Sequence, residues 1–195
     1  MGLILTFRTY IELIRKDLFR YGSNSGFRAF MRSYCFSPGY KYTFWMRTAA
    51  FLGSRRPWTF IPYIVSRIAQ NHYTFRYGIE IPPETQVGAG FYIGHFGGIV
   101  VNYQARIGKN CNLNCGAIIG ATYGGRHPGV PTILDRVYIG PGAKIIGGIT
   151  IGNDVAIGAN SVVVDTVPDG SVVVGVPGRI ISQKGSGEYV CNTVD

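Results

Sequence analysis

The sequence predicts a mainly β protein: a parallel β-helix of hexapeptide repeats preceded by a small α-helical N-terminal region. Three observations carry this expectation. From Ile81 onward, aliphatic residues recur every six positions. A glycine follows the aliphatic at Val87, Ile93, Ile107, Ile119, Ile139, Ile151 and Ile157, as a tight corner requires. Before residue 78 the apolar spacing is helical instead, and the charge divides at the same place. Residues 1–77 hold 12 Lys/Arg and 2 Asp/Glu, a net +10, whereas residues 78–195 carry 7 and 8, a net −1.

The N-terminal region, 1–77, is basic and rich in aromatics. Ile4, Phe7, Ile11, Ile14 and Leu18 fall at helical spacing with Arg8, Arg15 and Lys16 off the stripe, so 4–21 reads as an amphipathic helix. Ser23-Asn24-Ser25-Gly26 breaks it. Further helices are expected near 26–34, 40–53 and 58–72, with a turn at Arg55-Arg56-Pro57. The aromatics are expected to pack these helices on one another and on the end of the β-helix. No apolar run reaches the roughly 18 residues a membrane span needs, and the start lacks the features of a signal peptide. The protein is therefore read as cytoplasmic. The basic start also suits peripheral contact with the inner face of a membrane or with another anionic partner. No nucleic-acid motif accompanies the charge, so no nucleic-acid partner is expected.

The repeat occupies 78–182. Ile81, Val87, Ile93 and Ile99 keep a six-residue period. Val101 then resets the register by two, and Ile107, Leu113 and Ile119 follow. After a gap come Ile133, Ile139, Ile145, Ile151, Ile157 and Val163. Each hexapeptide supplies one short strand and one turn. Stacked coils bury a continuous aliphatic column and share ladder hydrogen bonds. The gap, 120–132 (GATYGGRHPGVPT), is an excursion loop, and loops leaving a rigid scaffold often carry function. After Val163 the segment VPDGSVVVGVPGRIISQK closes the helix, and 183–195 reads as a mobile C-terminal tail.

The four cysteines, Cys35, Cys111, Cys115 and Cys191, are expected as reduced thiols. Cys111 and Cys115 lack the second pair or nearby histidine that a metal site requires, and no metal is expected. A histidine near neutrality can remove a hydroxyl proton. His95, on a coil, and His127, in the excursion, are the two candidates. His72 lies in the helical part and reads as structural or surface.

Residues 78–102 (GIEIPPETQVGAGFYIGHFGGIVVN) resemble the active-site coil of the hexapeptide-repeat serine O-acetyltransferases and their polysaccharide-modifying relatives. Ile79-Glu80-Ile81 matches the opening stretch and His95-Phe96-Gly97-Gly98-Ile99-Val100-Val101 the H-x-x-G-[IV]-V-[IV] stretch. Gly175-Val176-Pro177-Gly178-Arg179 resembles the closing motif. The resemblance implies a left-handed β-helix with three repeats per coil. It implies His95 as general base and Glu80 as the carboxylate that orients it, with a backbone N–H near Gly97-Gly98 for the oxyanion. It also implies a homotrimer with acetyl-CoA between neighbouring β-helices. Gly120, Ala121, Gly142, Ala143, Gly158 and Ala159 would line the pantetheine arm, and Arg179 and Lys184 would approach the phosphates. Arg126-His127-Pro128 resembles the R-H-P with which the serine enzymes hold the substrate carboxylate. Two positions depart from those enzymes, where Asp usually stands: Gly94, just before the histidine, and Glu80. With the short basic N-terminal region, these departures resemble colanic-acid and capsular polysaccharide acetyltransferases. The first expectation is therefore acetyl transfer to a saccharide hydroxyl, on a glycan that can be lipid-linked, in exopolysaccharide or capsule synthesis. The alternative is serine O-acetylation in cysteine biosynthesis.

Overall fold

The computed structural model describes residues 6–22, 24–55 and 58–195. Ile4 of the first apolar stripe, Ser23 of the break and the Arg56-Pro57 turn lie outside the described residues. Among those described, four helices come first: α1 (Phe7–Phe19), α2 (Phe27–Phe36), α3 (Pro38–Gly53) and α4 (Phe60–Tyr77). Thr6 caps α1 by accepting from the Thr9 N–H, and Pro38 opens α3, where its missing N–H costs nothing. The last helix runs past the expected end at 72 and stops at Gly78, in the left-handed conformation at φ 61°.

The prism that follows has three faces. Face one stacks β1 (Ile79–Glu80), β4 (Ile99–Val101), β7 (Ile118–Gly120), β10 (Lys144–Ile146) and β13 (Val162–Val163). Face two stacks β2 (Gln86–Val87), β5 (Arg106–Ile107), β8 (Thr132–Ile133) and β11 (Thr150–Ile151). Face three stacks β3 (Tyr92–Ile93), β6 (Asn112–Leu113), β9 (Tyr138–Ile139), β12 (Ala156–Ile157), β14 (Val172–Val174) and β15 (Arg179–Ser182). The pairings are parallel except for β15, which folds back on β14 and closes the end. This is the left-handed β-helix. Every six-spaced aliphatic after Val87 is buried, and Val87 packs against the same core.

Register shows where the repeat is interrupted. A regular coil has eighteen residues, as between Ile145 and Val163 or Ile139 and Ile157. Ile93 pairs with Leu113 twenty residues on, whereas Val101 pairs with Ile119 at eighteen. The two extra residues therefore fall between β3 and β4, in the segment that holds His95. Leu113 pairs with Ile139 twenty-six residues on, and the eight extra residues are the excursion between β7 and β8.

The helices terminate the prism by chemistry as well as by packing. The first coil has no preceding coil to satisfy its backbone, so side chains do so. Tyr42 Oη accepts from the Ile81 N–H at 2.9 Å, and the Ile81 carbonyl accepts from Gln70 Nε2 at 3.0 Å. Tyr21 Oη accepts from the Ile93 N–H at 3.0 Å. Asp17 accepts from the Phe91 N–H, and Arg47 donates to the carbonyls of Val87 and Gly88. Arg20 donates to the Gly90 carbonyl and to Asn112. Part of the N-terminal positive charge is thus internal. The α1 stripe is accordingly narrower than its spacing suggests. Ile14 and Leu18 are buried together with Asp17 and Arg20, whereas Phe7 and Ile11 are exposed.

The C-terminal segment corrects an expectation. Residues 183–195 are not a loose tail but a strap running back along the prism. Ser186 N–H donates to the Asp154 carbonyl, and Tyr138 and Tyr189 stack with centroids 4.6 Å apart. Asn112 Nδ2 donates to the Tyr189 carbonyl, and Asn110 exchanges two hydrogen bonds with Val194. Lys16 of α1 meets the Asp195 carbonyl. Asn110 and Asn112, the asparagines that hold the strap, stand two residues apart at one corner of a single coil. Its polar sequence gives no period by which this docking could be read.

Candidate active site

His95 sits on the enlarged turn between faces three and one, exposed to solvent. Beside it the Phe96 ring lies 5.5 Å from that of Tyr77, so the end of α4 flanks this corner. The turn belongs to a column of left-handed residues, one per coil: Gly98 at φ 66°, Gly116 at 71°, Gly142 at 70° and Asn160 at 56°. A Cβ on Gly116 would stand 3.2 Å from Gly142 Cα, so the column admits close backbone stacking. Among the described residues, the N–H groups of Gly97 and Gly98 donate to no partner within the chain.

Glu80, also exposed, pairs in register with Val100 across β1 and β4, and Gly78 stacks against Gly97-Gly98. Glu80 thus lies on the coil next to the His95 turn. No hydrogen bond or ion pair joins the two side chains among the described residues. Gly94 has a packing reason of its own. A Cβ there would meet Asn114 Oδ1 at 2.7 Å, and Asn114 is buried with its Nδ2 donating to the Ile139 carbonyl. The missing Asp is therefore coupled to Asn114 on the next coil.

The excursion loop forms a second cluster at the opposite end of face one. Thr122 and Gly129 close it with two backbone hydrogen bonds, and the Gly148 N–H donates to the His127 carbonyl at 2.9 Å. The loop backbone lies so close that a Cβ on Gly148 would meet the Pro128 carbonyl oxygen at 2.6 Å. Arg126 Nη1 and His127 Nε2 both reach Asp165 Oδ1, at 3.3 and 3.2 Å. Thr122, Arg126, His127, Ile146, Val164 and Asp165 line a cavity of about 330 Å³. Asp165 is the site residue that motif reading missed. The eighteen-residue register places it one coil below Gly147, on the corner where the loop lies, and that was the available signal.

The remaining candidates divide between the same two corners. Gly142, Gly158 and Ala159 lie on the His95 corner, whereas Gly120 and Ala121 lead into the loop. Ala143 is fully buried inside the prism, so its side chain does not face a surface groove. Arg179 and Lys184 are exposed, on β15 and just beyond it. His72 is exposed on α4, edge-on to Tyr73. Among the described residues no group of three or more His, Cys, Asp or Glu is placed to hold a metal ion. One protomer brings Arg126 and His127 together with Asp165. It does not bring His95 to them.

Comparison with known proteins matches this architecture. Residues 131–165 fit the family model described as bacterial transferase hexapeptide (six repeats). The serine acetyltransferase of Staphylococcus xylosus is 43% identical over 123 residues, covering 63% of this chain and 57% of that protein. That of Bacillus subtilis strain 168 is 39% identical over 144 residues, covering 72% and 63%. The chain thus spans less than two thirds of these relatives' length. The crystal structure of serine acetyltransferase from Brucella abortus strain S19 in complex with coenzyme A superposes with a TM-score of 0.75 at 27% identity, covering 92% of this chain and 70% of that one. The Neisseria gonorrhoeae serine acetyltransferase in complex with serine gives 0.72 at 26% identity, covering 90% and 70%. By repeat and fold, the chain is a left-handed β-helix of hexapeptide repeats that is similar, over part of their length, to serine acetyltransferases.

Proposed function

We propose that the protein is an acetyl-CoA-dependent O-acetyltransferase whose acceptor is L-serine. The observation that carries this reading is the convergence of Arg126 and His127 on a single carboxylate oxygen in an open cavity. A pair that already receives the Asp165 carboxylate is built to receive the α-carboxylate of an amino acid. The likeness to serine acetyltransferases, including structures with coenzyme A and with serine, supports the same acceptor. It reverses the order in which sequence ranked the two acceptors. Gly94, one of the departures that favours a saccharide, has its own packing reason against Asn114 and so weighs less on the choice of acceptor.

His95 acts as the general base. It takes the hydroxyl proton as the serine oxygen attacks the thioester carbonyl carbon. The free N–H groups at Gly97-Gly98 are placed to stabilise the oxyanion of the tetrahedral intermediate. Collapse breaks the C–S bond, and the imidazolium returns its proton to the leaving thiolate. The products are the O-acetyl ester and free coenzyme A. Glu80 orients the imidazole and stabilises its charged form once substrate draws the two together. The chemistry belongs to the β-helix, 78–182, and the helices of 1–77 serve as its cap.

The two corners lie at opposite ends of face one, so a complete site needs two protomers. In a trimer, the His95 corner of one subunit meets the loop corner of its neighbour. Acetyl-CoA lies in the cleft between them, along the backbone of Gly142, Gly158 and Ala159 on one side and Gly120 and Ala121 on the other. Arg179 and Lys184 reach its phosphates. The test is thiol release from acetyl-CoA with L-serine and with a panel of sugars, for wild type and His95→Ala. Turnover that depends on both serine and His95 is expected. Turnover with a sugar alone would restore the saccharide reading, and thiol release independent of His95 would remove the catalytic assignment.

A further inference from the structure

The last helix before the prism is inverted. Its inward face carries Ser66 and Gln70, both buried, with Gln70 capping Ile81. Its outward face carries Ile61, Ile64, Val65, Ile68 and Phe75, spaced at three, four and seven residues. Ile61 is 75% exposed, Ile68 66% and Phe75 81%, and Trp58 just before the helix is 93% exposed. Water-facing aliphatics on a helix whose polar face is buried are a marker of an interaction surface. The neighbouring α2 exposes Phe27, Met31 and Phe36 as well. Lys41 of α3 bridges the two helices, its Nζ 5.5 Å from the ring of Tyr34 on α2 and 5.8 Å from the ring of Tyr73 on α4.

We propose that this surface docks on an anionic lipid bilayer, with α4 lying in the interface plane. Charge selects the occupant. From residue 18 to residue 79 the chain holds no Asp or Glu, while Arg28 and Arg32 on α2 and Arg76 on α4 are exposed; Arg67 turns inward instead and donates to Gln70. An apolar stripe flanked by arginines and an exposed tryptophan fits acyl chains beneath negatively charged headgroups. A second copy fits less well, because two such positively charged regions would face each other with no Asp or Glu between residues 18 and 79 to balance them. Among the described residues no helix is long and apolar enough to cross the membrane, so the contact is peripheral. It does not depend on which acceptor the enzyme uses.

The test is flotation of the full-length protein with phosphatidylcholine vesicles and with mixed phosphatidylcholine–phosphatidylglycerol vesicles, at low and high salt. Wild type is expected to float with the mixed vesicles at low salt, with Trp58 emission moving to the blue, and to bind neutral vesicles about tenfold less. The double substitution Ile61→Glu and Ile68→Glu is expected to lower partition at least roughly tenfold, with melting temperature and thiol-release activity unchanged. Trp58→Phe should abolish the emission shift without changing flotation. Wild-type protein that stays with the soluble fraction at low salt overturns the proposal, as does equal flotation of the double variant. If light scattering shows the double variant at half the wild-type mass and neither protein floats, the face joins copies of the chain and the lipid proposal falls.

Discussion

Arg47 and Asp17 form a buried ion pair, Nε to Oδ2 at 2.9 Å, that joins α1 and α3 to the first coil of the prism. Burial pushes the Asp17 carboxyl up, and the Arg47 guanidinium and the Phe91 and Gly90 amides pull against it. Removing Arg47 leaves a buried carboxylate and two coil carbonyls, those of Val87 and Gly88, without donors. Arg47→Met is therefore expected to cost about 3–5 kcal/mol in urea unfolding. Adding Asp17→Leu should recover about 1 kcal/mol or more, because the stranded charge is gone. Equal losses for the single and double variants would show that the carboxylate left by Arg47→Met carries no burial penalty.

The catalytic proposal separates activity from stability. His95 is exposed and makes no hydrogen bond within the chain among the described residues. His95→Ala should lower acetyl transfer by about 10²–10⁴-fold with an unchanged melting temperature. Glu80→Gln should lower kcat about tenfold or more and leave KM for acetyl-CoA near its wild-type value. Full activity in either variant would return the residue to an ordinary surface role.

Arg126 and His127 share the Asp165 carboxylate, and under the proposed function Asp165 competes with the serine carboxylate for them. Arg126→Ala removes a charge-assisted hydrogen bond worth about 1.5–3 kcal/mol, so KM for serine should rise by roughly 10- to 100-fold with a smaller change in kcat. Asp165→Asn frees the pair from its internal carboxylate, and KM for serine should fall several-fold. A rise in that variant would mean that Asp165 positions the loop rather than masks it. Steady-state kinetics with serine as the varied substrate distinguishes these outcomes.

Acid should loosen the coil corners. Asp154 accepts two hydrogen bonds from Arg136, which hold its carboxyl below the ordinary aspartate range. A depressed carboxyl contributes stability above its unfolded pKa, near 3.9, and loses it as pH falls through the lower folded value. The pair is half exposed, so the contribution stays under about 1 kcal/mol. Stability curves of wild type and Asp154→Asn should converge below about pH 3 and separate above about pH 4.

Thiol labelling tests the core. Cys111 is buried, and burial pushes its thiol up to about 12. Cys35 and Cys191 are exposed. Iodoacetamide near pH 8 should modify Cys35 and Cys191 readily and reach Cys111 only after denaturation. Mass spectrometry of the labelled native protein checks this directly.

Sequence by itself determined the prism. One aliphatic every six residues is a local pattern that stacking repeats unchanged, so Ile107, Leu113, Ile119 and their successors could be placed in the core before any contact was known. The same arithmetic located both interruptions, at His95 and at Arg126-His127, because a broken period is as visible as an intact one. Tertiary structure decided what periodicity does not encode. Asp17, Tyr42, Arg47 and Gln70 cap the first coil because its unpaired backbone groups need partners, and partners from distant helices leave no spacing to read. The strap from Ser186 to Val194 docks through single asparagines. Asp165 joins Arg126 and His127 only because one coil stacks on the next. The outward turn of Ile61 and Ile68 was likewise settled by Gln70, whose hydrogen bond to the coil end holds the polar side of α4 inward.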